Sequence, residues 1–224
     1  MSSHPLRMFG TMWAFLESFL PGLCPCGRPA RGLCAACSAR AGAAPNQAPP
    51  PSVSSWVAPF AYAGPARELV ARSKYRGARS GLPWLADAMV AAHRGAGLPV
   101  PDLVTWPPTT TARRRARGFD QAEVLARAVA RRLGVRAVPV LTRLDGRSQT
   151  GSARRDRLAG PRVVARRPIA GAAVLLVDDV ATTGATLAAA GAALRRAGAV
   201  RVDALTAART PSPHDVAPRP SRGG

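Results

Sequence analysis

The 224-residue chain is 47% hydrophobic and carries 32 basic against 12 acidic residues, a formal net charge of +20. The length allows one domain of ordinary size with extensions, and the apolar share, though inflated by alanine, suffices for a core. No apolar run approaches the ~20 residues needed to cross a bilayer, which excludes a membrane-spanning helix. Lys74 is the only lysine, so arginine supplies almost all of the positive charge, a skew that with abundant Ala, Gly and Pro matches a coding bias toward G and C. The charge therefore reads either as solvated surface or as attraction to polyphosphate, nucleic acid or acidic partners.

In chain order, residues 1–20 place Met12, Phe15, Leu16, Phe19 and Leu20 on one face of a short helix that packs on the domain. The stretch is short, carries Glu17 and is followed by no small-residue cleavage site. No export signal and a cytoplasmic protein are therefore expected. All four cysteines fall within residues 24–37, as CPCGRPARGLCAAC. Cys24 with Cys26, and Cys34 with Cys37, form two close pairs around a Gly/Pro turn, the pattern of a structural four-cysteine zinc site in residues 21–40. The first pair is CxC rather than the usual CxxC, so a metal-free knuckle stays open beside zinc.

Residues 41–55, rich in Ala, Pro and Ser, read as a linker, and a domain over 56–210 follows. Residues 56–63 suggest an edge strand that tolerates Pro59. A helix over 65–75 turns Leu69 and Val70 inward and leads to Ser73-Lys74-Tyr75-Arg76-Gly77; a second helix spans 82–94. A strand at 103–106 stops at Pro107 and Pro108. A helix over 120–133 ends at Gly134, with Val124, Leu125, Ala128 and Val129 facing in. Strands are expected at 138–141, 174–177 and 202–206, a mobile loop at 143–160 and a disordered tail from 211. Strands alternating with helices imply a parallel sheet covered on both faces, with ligands at the strands' carboxyl ends.

Residues 174–186, VLLVDDVATTGAT, concentrate the chemistry. A buried strand delivers Asp178 and Asp179, a turn carries Ala181, Thr182, Thr183, Gly184, Ala185 and Thr186, and an alanine-rich helix begins. A helix N-terminus offers free N–H groups and partial positive charge to a phosphate. Threonine hydroxyls add donors, and the carboxylates can accept from a sugar diol or contact Mg²⁺. The simpler reading is a Thr/Gly turn with two capping or solvated acids. This segment resembles the phosphoribosyl-pyrophosphate (PRPP) motif of type I phosphoribosyltransferases. The resemblance implies that fold, PRPP and Mg²⁺ binding by Asp178, Asp179 and residues 181–186, and a catalytic part for Asp178 and Asp179.

A second resemblance covers residues from about 13 to 208. Arg117-Gly118-Phe119-Asp120-Gln121-Ala122 opens a helix, with Arg143, Gln149 and Arg157 downstream and the four cysteines in front. This order is similar to the ComF family of competence-associated, phosphoribosyltransferase-like proteins. The family's RGFNQ stands here as RGFDQ, its Val-Pro strand end as Trp106-Pro107-Pro108, and an expected asparagine as Gly160. The resemblance implies a hood over 143–157, with Arg147, Gln149, Arg154 and Arg157 able to reach substrate, and Lys74, Arg117 and Gly118 toward pyrophosphate. From the residues alone, Arg117 can be a surface arginine, Asp120 a helix N-cap and Lys74 a solvated lysine. The implied activity is phosphoribosyl transfer to an unknown acceptor, linked to DNA uptake. The alternative is a non-catalytic nucleotide sensor or nucleic-acid-binding competence protein, with single-stranded DNA or competence-machinery proteins as partners.

Overall fold

Alternating apolar runs and amphipathic helices build a main parallel sheet with a small antiparallel pair beside it. The computed structural model describes residues 22–74, 80–144 and 161–211. The N-terminal helix expected over 1–20, most of the 143–160 loop and the tail from 212 lie outside the described residues. Helix α1 (Ala35–Arg40) precedes strands β1 (Ser55–Val57) and β2 (Phe60–Ala61), then helices α2 (Gly64–Arg72) and α3 (Gly81–Gly95). Strand β3 (Leu103–Thr105), helix α4 (Thr111–Arg117), helix α5 (Gln121–Leu133) and strands β4 (Arg136–Ala137), β5 (Leu141–Arg143) and β6 (Val163–Ala165) follow. The chain closes on β7 (Ala173–Ala181), helix α6 (Ala185–Arg196) and β8 (Arg201–Arg209).

The sheet order is β1-β8-β7-β3-β4, with β2 also on β8, and every pairing in it is parallel. Strands β5 and β6 form a separate antiparallel pair. Period-two alternation sends Leu175 and Val177 of β7 into one core and Val174 and Leu176 into the other. The first core is built with Leu85 and Met89 of α3 and Leu125 and Val129 of α5; the second with Leu187, Ala190 and Leu194 of α6. Helices therefore cover both faces, and the burial is near complete: Leu85, Leu125, Leu176, Leu187 and Leu194 are all fully buried. Each such leucine contributes about 1.5–3 kcal/mol relative to exposure.

Helix α5 begins and ends where its capping residues dictate. Asp120 accepts from the Ala122 and Glu123 N–H groups, and Gly134 closes the helix at φ 72°. Of the strand expected at 138–141 only Leu141 lies in a strand, at the start of β5, while β4 ends before it at Ala137. The Val138 N–H still donates to Val104 O at 2.8 Å, and pairing lapses at Pro139, which has no N–H to give a ladder. Pro59 interrupts the expected edge strand in the same way, leaving β1 and β2 as two short pieces against β8. Two strands outrun their expected length. β7 continues to Ala181 and β8 to Arg209, because they pair with each other in register from Ala173↔Arg201 to Ala181↔Arg209.

Candidate functional site

The extra length of β7 creates the site. β3 stops at Thr105, opposite Leu176, while β7 runs on to Ala181 against β8 alone. Asp178 and Asp179 thus lie in the strand, past the end of β3, rather than in the loop after it. Where β3 no longer runs alongside, the carboxylates accept backbone N–H groups themselves: Asp179 N–H donates to Asp178 Oδ1 at 2.8 Å, and Val180 N–H to Asp179 Oδ1 at 2.7 Å. Burial, the charge of Asp179 and, more weakly, that of Asp120 hold the Asp178 carboxyl well above the usual carboxylate range. Beyond the strand, Thr182, Thr183, Ala185 and Thr186 are exposed around the buried Gly184. Gly184 takes φ 73° and caps α6, and Thr183 Oγ1 accepts from the Ala185 N–H at 3.4 Å. Residues 180–187 and Asp178 enclose a cleft of about 50 Å³, a size suited to one phosphate group.

Across from β7 stands Lys74. Its Nζ lies 3.3 Å from Asp179 Oδ2 and 6.0 Å from the Tyr62 ring centroid. Both partners of this ion pair are largely withdrawn from solvent. The lysine is placed by the turn that ends α2. The buried Ser73 hydroxyl donates to Val70 O at 2.7 Å and accepts from Gln121 Nε2, and Gln121 also reaches Val70 O. Gln121 is the first residue of α5, so the turn is fastened to that helix's N-terminus. Asp120 next to it is buried and also accepts from Thr109 N–H at 3.4 Å. Burial raises its carboxyl, against backbone N–H groups that lower it.

The segment read as a linker lies over the other side of the loop. A Cβ on Gly184 would meet Pro50 at 3.3 Å, and one on Gly191 would meet Ser52 O and Val53 Cγ2 at 3.1 Å. Val53 is buried in the α6 core. Arg209, 2% exposed, donates to the carbonyls of Pro45, Gln47 and Trp56, and its guanidinium sits 3.6 Å from the Trp56 ring centroid. The Trp56 indole N–H donates to Thr206 Oγ1 at 3.2 Å.

The four cysteine sulfurs lie within 4.8 Å of one another. Tetrahedral zinc with bonds of about 2.3 Å needs sulfurs roughly 3.8 Å apart, and Cys26 and Cys34 are 3.7 Å apart. The CxC spacing therefore still converges, because a turn at Gly27 (φ 86°) folds Cys24 to Arg28 back on itself. Burial would raise the Cys24 thiol, but the N–H groups of Cys34 and Cys26 and the adjacent thiols outweigh it and hold it at about 7. Cys37, hydrogen-bonded to Cys24 and buried, is pushed up to about 12. Four sulfurs converging this closely form a set that one divalent cation would satisfy. Four thiolates leave no open coordination position, so the residues fit a structural metal. Cys24, Cys37 and Leu33 belong to the same core as α2, α3 and α5.

The structure thus brings Asp178, Asp179, residues 181–186 and Lys74 together, and gathers Cys24, Cys26, Cys34 and Cys37 separately. Gly118 turns between α4 and α5 at φ 74°. The Arg117 side chain, and Arg147, Gln149, Arg154, Arg157 and Gly160, lie outside what is described. Arg143 ends β5, on the pair of strands that flanks residues 145–160. Sequence reading missed the Ser73–Gln121 bond, although Gln121 stood in the RGFDQ run. It also missed the fastening of residues 45–53, whose signal was only their prolines.

Parallel sheet, flanking helices and a threonine-rich turn leading into a helix define a phosphoribosyltransferase-type domain, and the phosphoribosyl transferase domain pattern matches residues 120–217. The chain is 31% identical over 204 residues to "DNA utilization protein YhgH" of Salmonella typhi, covering 84% of each. Its counterpart in Salmonella typhimurium is 30% identical over the same share. The chain belongs to the ComF-type family of phosphoribosyltransferase-domain proteins. Among solved structures, the glutamine PRPP amidotransferase of B. subtilis, complexed with ADP and GMP, is 25% identical over 55% of this chain and 25% of that one, with a TM-score of 0.39. Among the described residues, no helix is long and apolar enough to cross a membrane.

Proposed function

We propose that this protein binds PRPP and transfers its phosphoribosyl group to an acceptor amine, releasing pyrophosphate. The observation that carries the reading is the overhanging end of β7, with two carboxylates, a threonine turn and a helix N-terminus in continuous sequence. The 5-phosphate would sit in the cleft of residues 180–187, on N–H groups of the first turn of α6 and the hydroxyls of Thr182, Thr183 and Thr186. Asp178 and Asp179 would accept from the ribose diol. Asp178 and Asp179 would hold Mg²⁺, which would supply charge neutralisation, since a pair of carboxylates suits that hard cation. Lys74, held beside Asp179, has pyrophosphate oxygens as its alternative partner, joined by Arg117, Gly118, Gln149 and Arg157. The acceptor nitrogen would form its bond to the anomeric carbon as the bond to pyrophosphate breaks, and pyrophosphate leaves with that electron pair. Such a step needs anion stabilisation more than a strong base.

Calorimetry with Mg-PRPP tests the site. Asp178→Ala with Asp179→Ala, and separately Thr183→Val, should each weaken binding by about 1.5–3 kcal/mol, the worth of a hydrogen bond to a charged group. Unchanged affinity in both variants would reject the site.

A second reading, nucleic-acid binding without turnover, draws on the relatives' name and on one further surface. A groove of about 440 Å³ between β6 and the end of α6 is lined by Arg166, Arg167 and Arg196 and, among the described residues, by no carboxylate. It suits a phosphodiester backbone, and lies at the end of α6 remote from Gly184, twelve residues or about 18 Å away.

A further inference from the structure

Three consecutive residues at the end of α2 each hold a different part of the molecule. Arg72 Nη2 donates to Pro25 O at 3.0 Å, the carbonyl between the two cysteines of the CxC pair. Ser73 is bonded to Gln121 at the start of α5. Lys74 faces Asp179. The three residues follow one another in a turn fixed by the Ser73 hydroxyl on Val70 O, so a shift of this short backbone segment would bear on all three contacts. The cysteine knuckle also abuts this region by packing: a Cβ on Gly32 would fall on the Trp84 ring, which stacks on Phe60 at 5.5 Å.

We propose that the cysteine centre and the ligand site are one coupled unit, in which a metal on the four thiolates fixes the Pro25 carbonyl, and Arg72 through it sets the position of Lys74 against Asp179. Arg72 and Gln121 are then positioning residues for Lys74. Arg72 is half exposed and its only other partner among the described residues is Glu68, at 4.0 Å, so its place depends on the knuckle. Backbone bonds from the Cys24 N–H to Arg28 O and the Gly27 N–H to Cys24 O already fold this segment, and one ion shared by Cys24 and Cys26 would hold the Pro25 carbonyl between them more firmly. The proposal rests on the reading of Lys74 and Asp179 as ligand-site groups only for its consequence, not for the coupling itself.

Lys74 provides its own reporter. As the only lysine, it gives one dimethyl-lysine signal after reductive ¹³C-methylation of the zinc-loaded full chain, beside that of the N-terminal amine. Methylation keeps the charge, and Lys74→Arg identifies which signal is which. Asp179→Asn should move the Lys74 signal, and Arg72→Ala should move it the same way while still holding one zinc ion. Chelation of the metal from the labelled wild type should do likewise. Arg72→Ala should also bind Mg-PRPP about three- to tenfold more weakly, as for loss of one net hydrogen bond, and have no further effect in a Lys74→Ala background. An unmoved Lys74 signal in zinc-bound Arg72→Ala, where Asp179→Asn does move it, overturns the coupling; so does an unmoved signal in Asp179→Asn. A labelled wild type that ignores Mg-PRPP rejects the ligand reading instead, and leaves the comparison of signals to decide the coupling.

Discussion

Replacing Gly184 by alanine isolates the one backbone conformation on which the loop depends. At φ 73° an L side chain is strained by about 1–2 kcal/mol. The new Cβ would also sit 3.3 Å from Pro50 Cβ and 3.4 Å from Pro50 Cγ, inside the ~3.5–4.0 Å optimum for carbon pairs, and adds a few tenths of a kcal/mol. The sum is about 2 kcal/mol, or a melting point lower by about 4–8 °C for a chain of this size. Gly95→Ala is the matched control. It lies at the end of α3 with no atom within 4 Å of the new methyl, so it should be neutral or stabilising by up to about 1 kcal/mol. Urea unfolding followed by tryptophan fluorescence measures both. Equal midpoints for Gly184→Ala and wild type, or an equal loss in the two variants, would refute the assignment of strain to Gly184.

Asp178→Asn should stabilise the fold and weaken Mg-PRPP binding. The raised Asp178 carboxyl means that the folded state holds its proton where the unfolded state has lost it, so wild-type stability falls as pH rises from about 4 through the raised value. Denaturation at pH 5 and pH 8 should show a smaller pH dependence in the variant, and an undiminished one would place the titration elsewhere. One zinc ion per chain is expected by metal analysis, with a lower melting temperature after chelation because Cys24 and Cys37 sit in the main core. A metal content near zero would exclude that centre. Single-stranded DNA binding, followed by anisotropy across a salt series, should lose about 2 from its log–log salt slope when Arg166, Arg167 and Arg196 are changed to alanine, three contacts at ~0.7 each. Mg-PRPP affinity should be unaffected by that triple change. An unaltered slope would move the DNA surface off this groove.

The sheet was legible in the sequence because its strands are buried on both faces and read as apolar runs, and α5 because Asp120 and Gly134 mark both its ends. The residues of the β7–α6 loop were legible because their chemistry is contiguous. What could not be read was pairwise. Whether β7 stops at Val177 or runs to Ala181 depends on how far β8 and β3 accompany it, which no local pattern encodes. Lys74 meets Asp179 across 105 residues of chain, and its tie to Gln121 is visible only once α2 and α5 are packed. Composition alone made residues 41–55 look like a spacer, since proline-rich chain is extended whether it is free or laid on a surface.

The path of residues 45–53 bears on how this protein can be cut or recombined. A fragment beginning at Trp56 would lose only Ser55 from the strands, yet it would take from Arg209 the carbonyls of Pro45 and Gln47, strip Val53 from the α6 core and uncover Gly184. The guanidinium would then lose two of its acceptors, a costly change for a buried cation. Residues 45–53 thus belong to the domain that carries the β7–α6 loop and are not a detachable spacer. Because Cys24, Leu33 and Cys37 also share the main core, a minimal expression fragment should start upstream of Cys24.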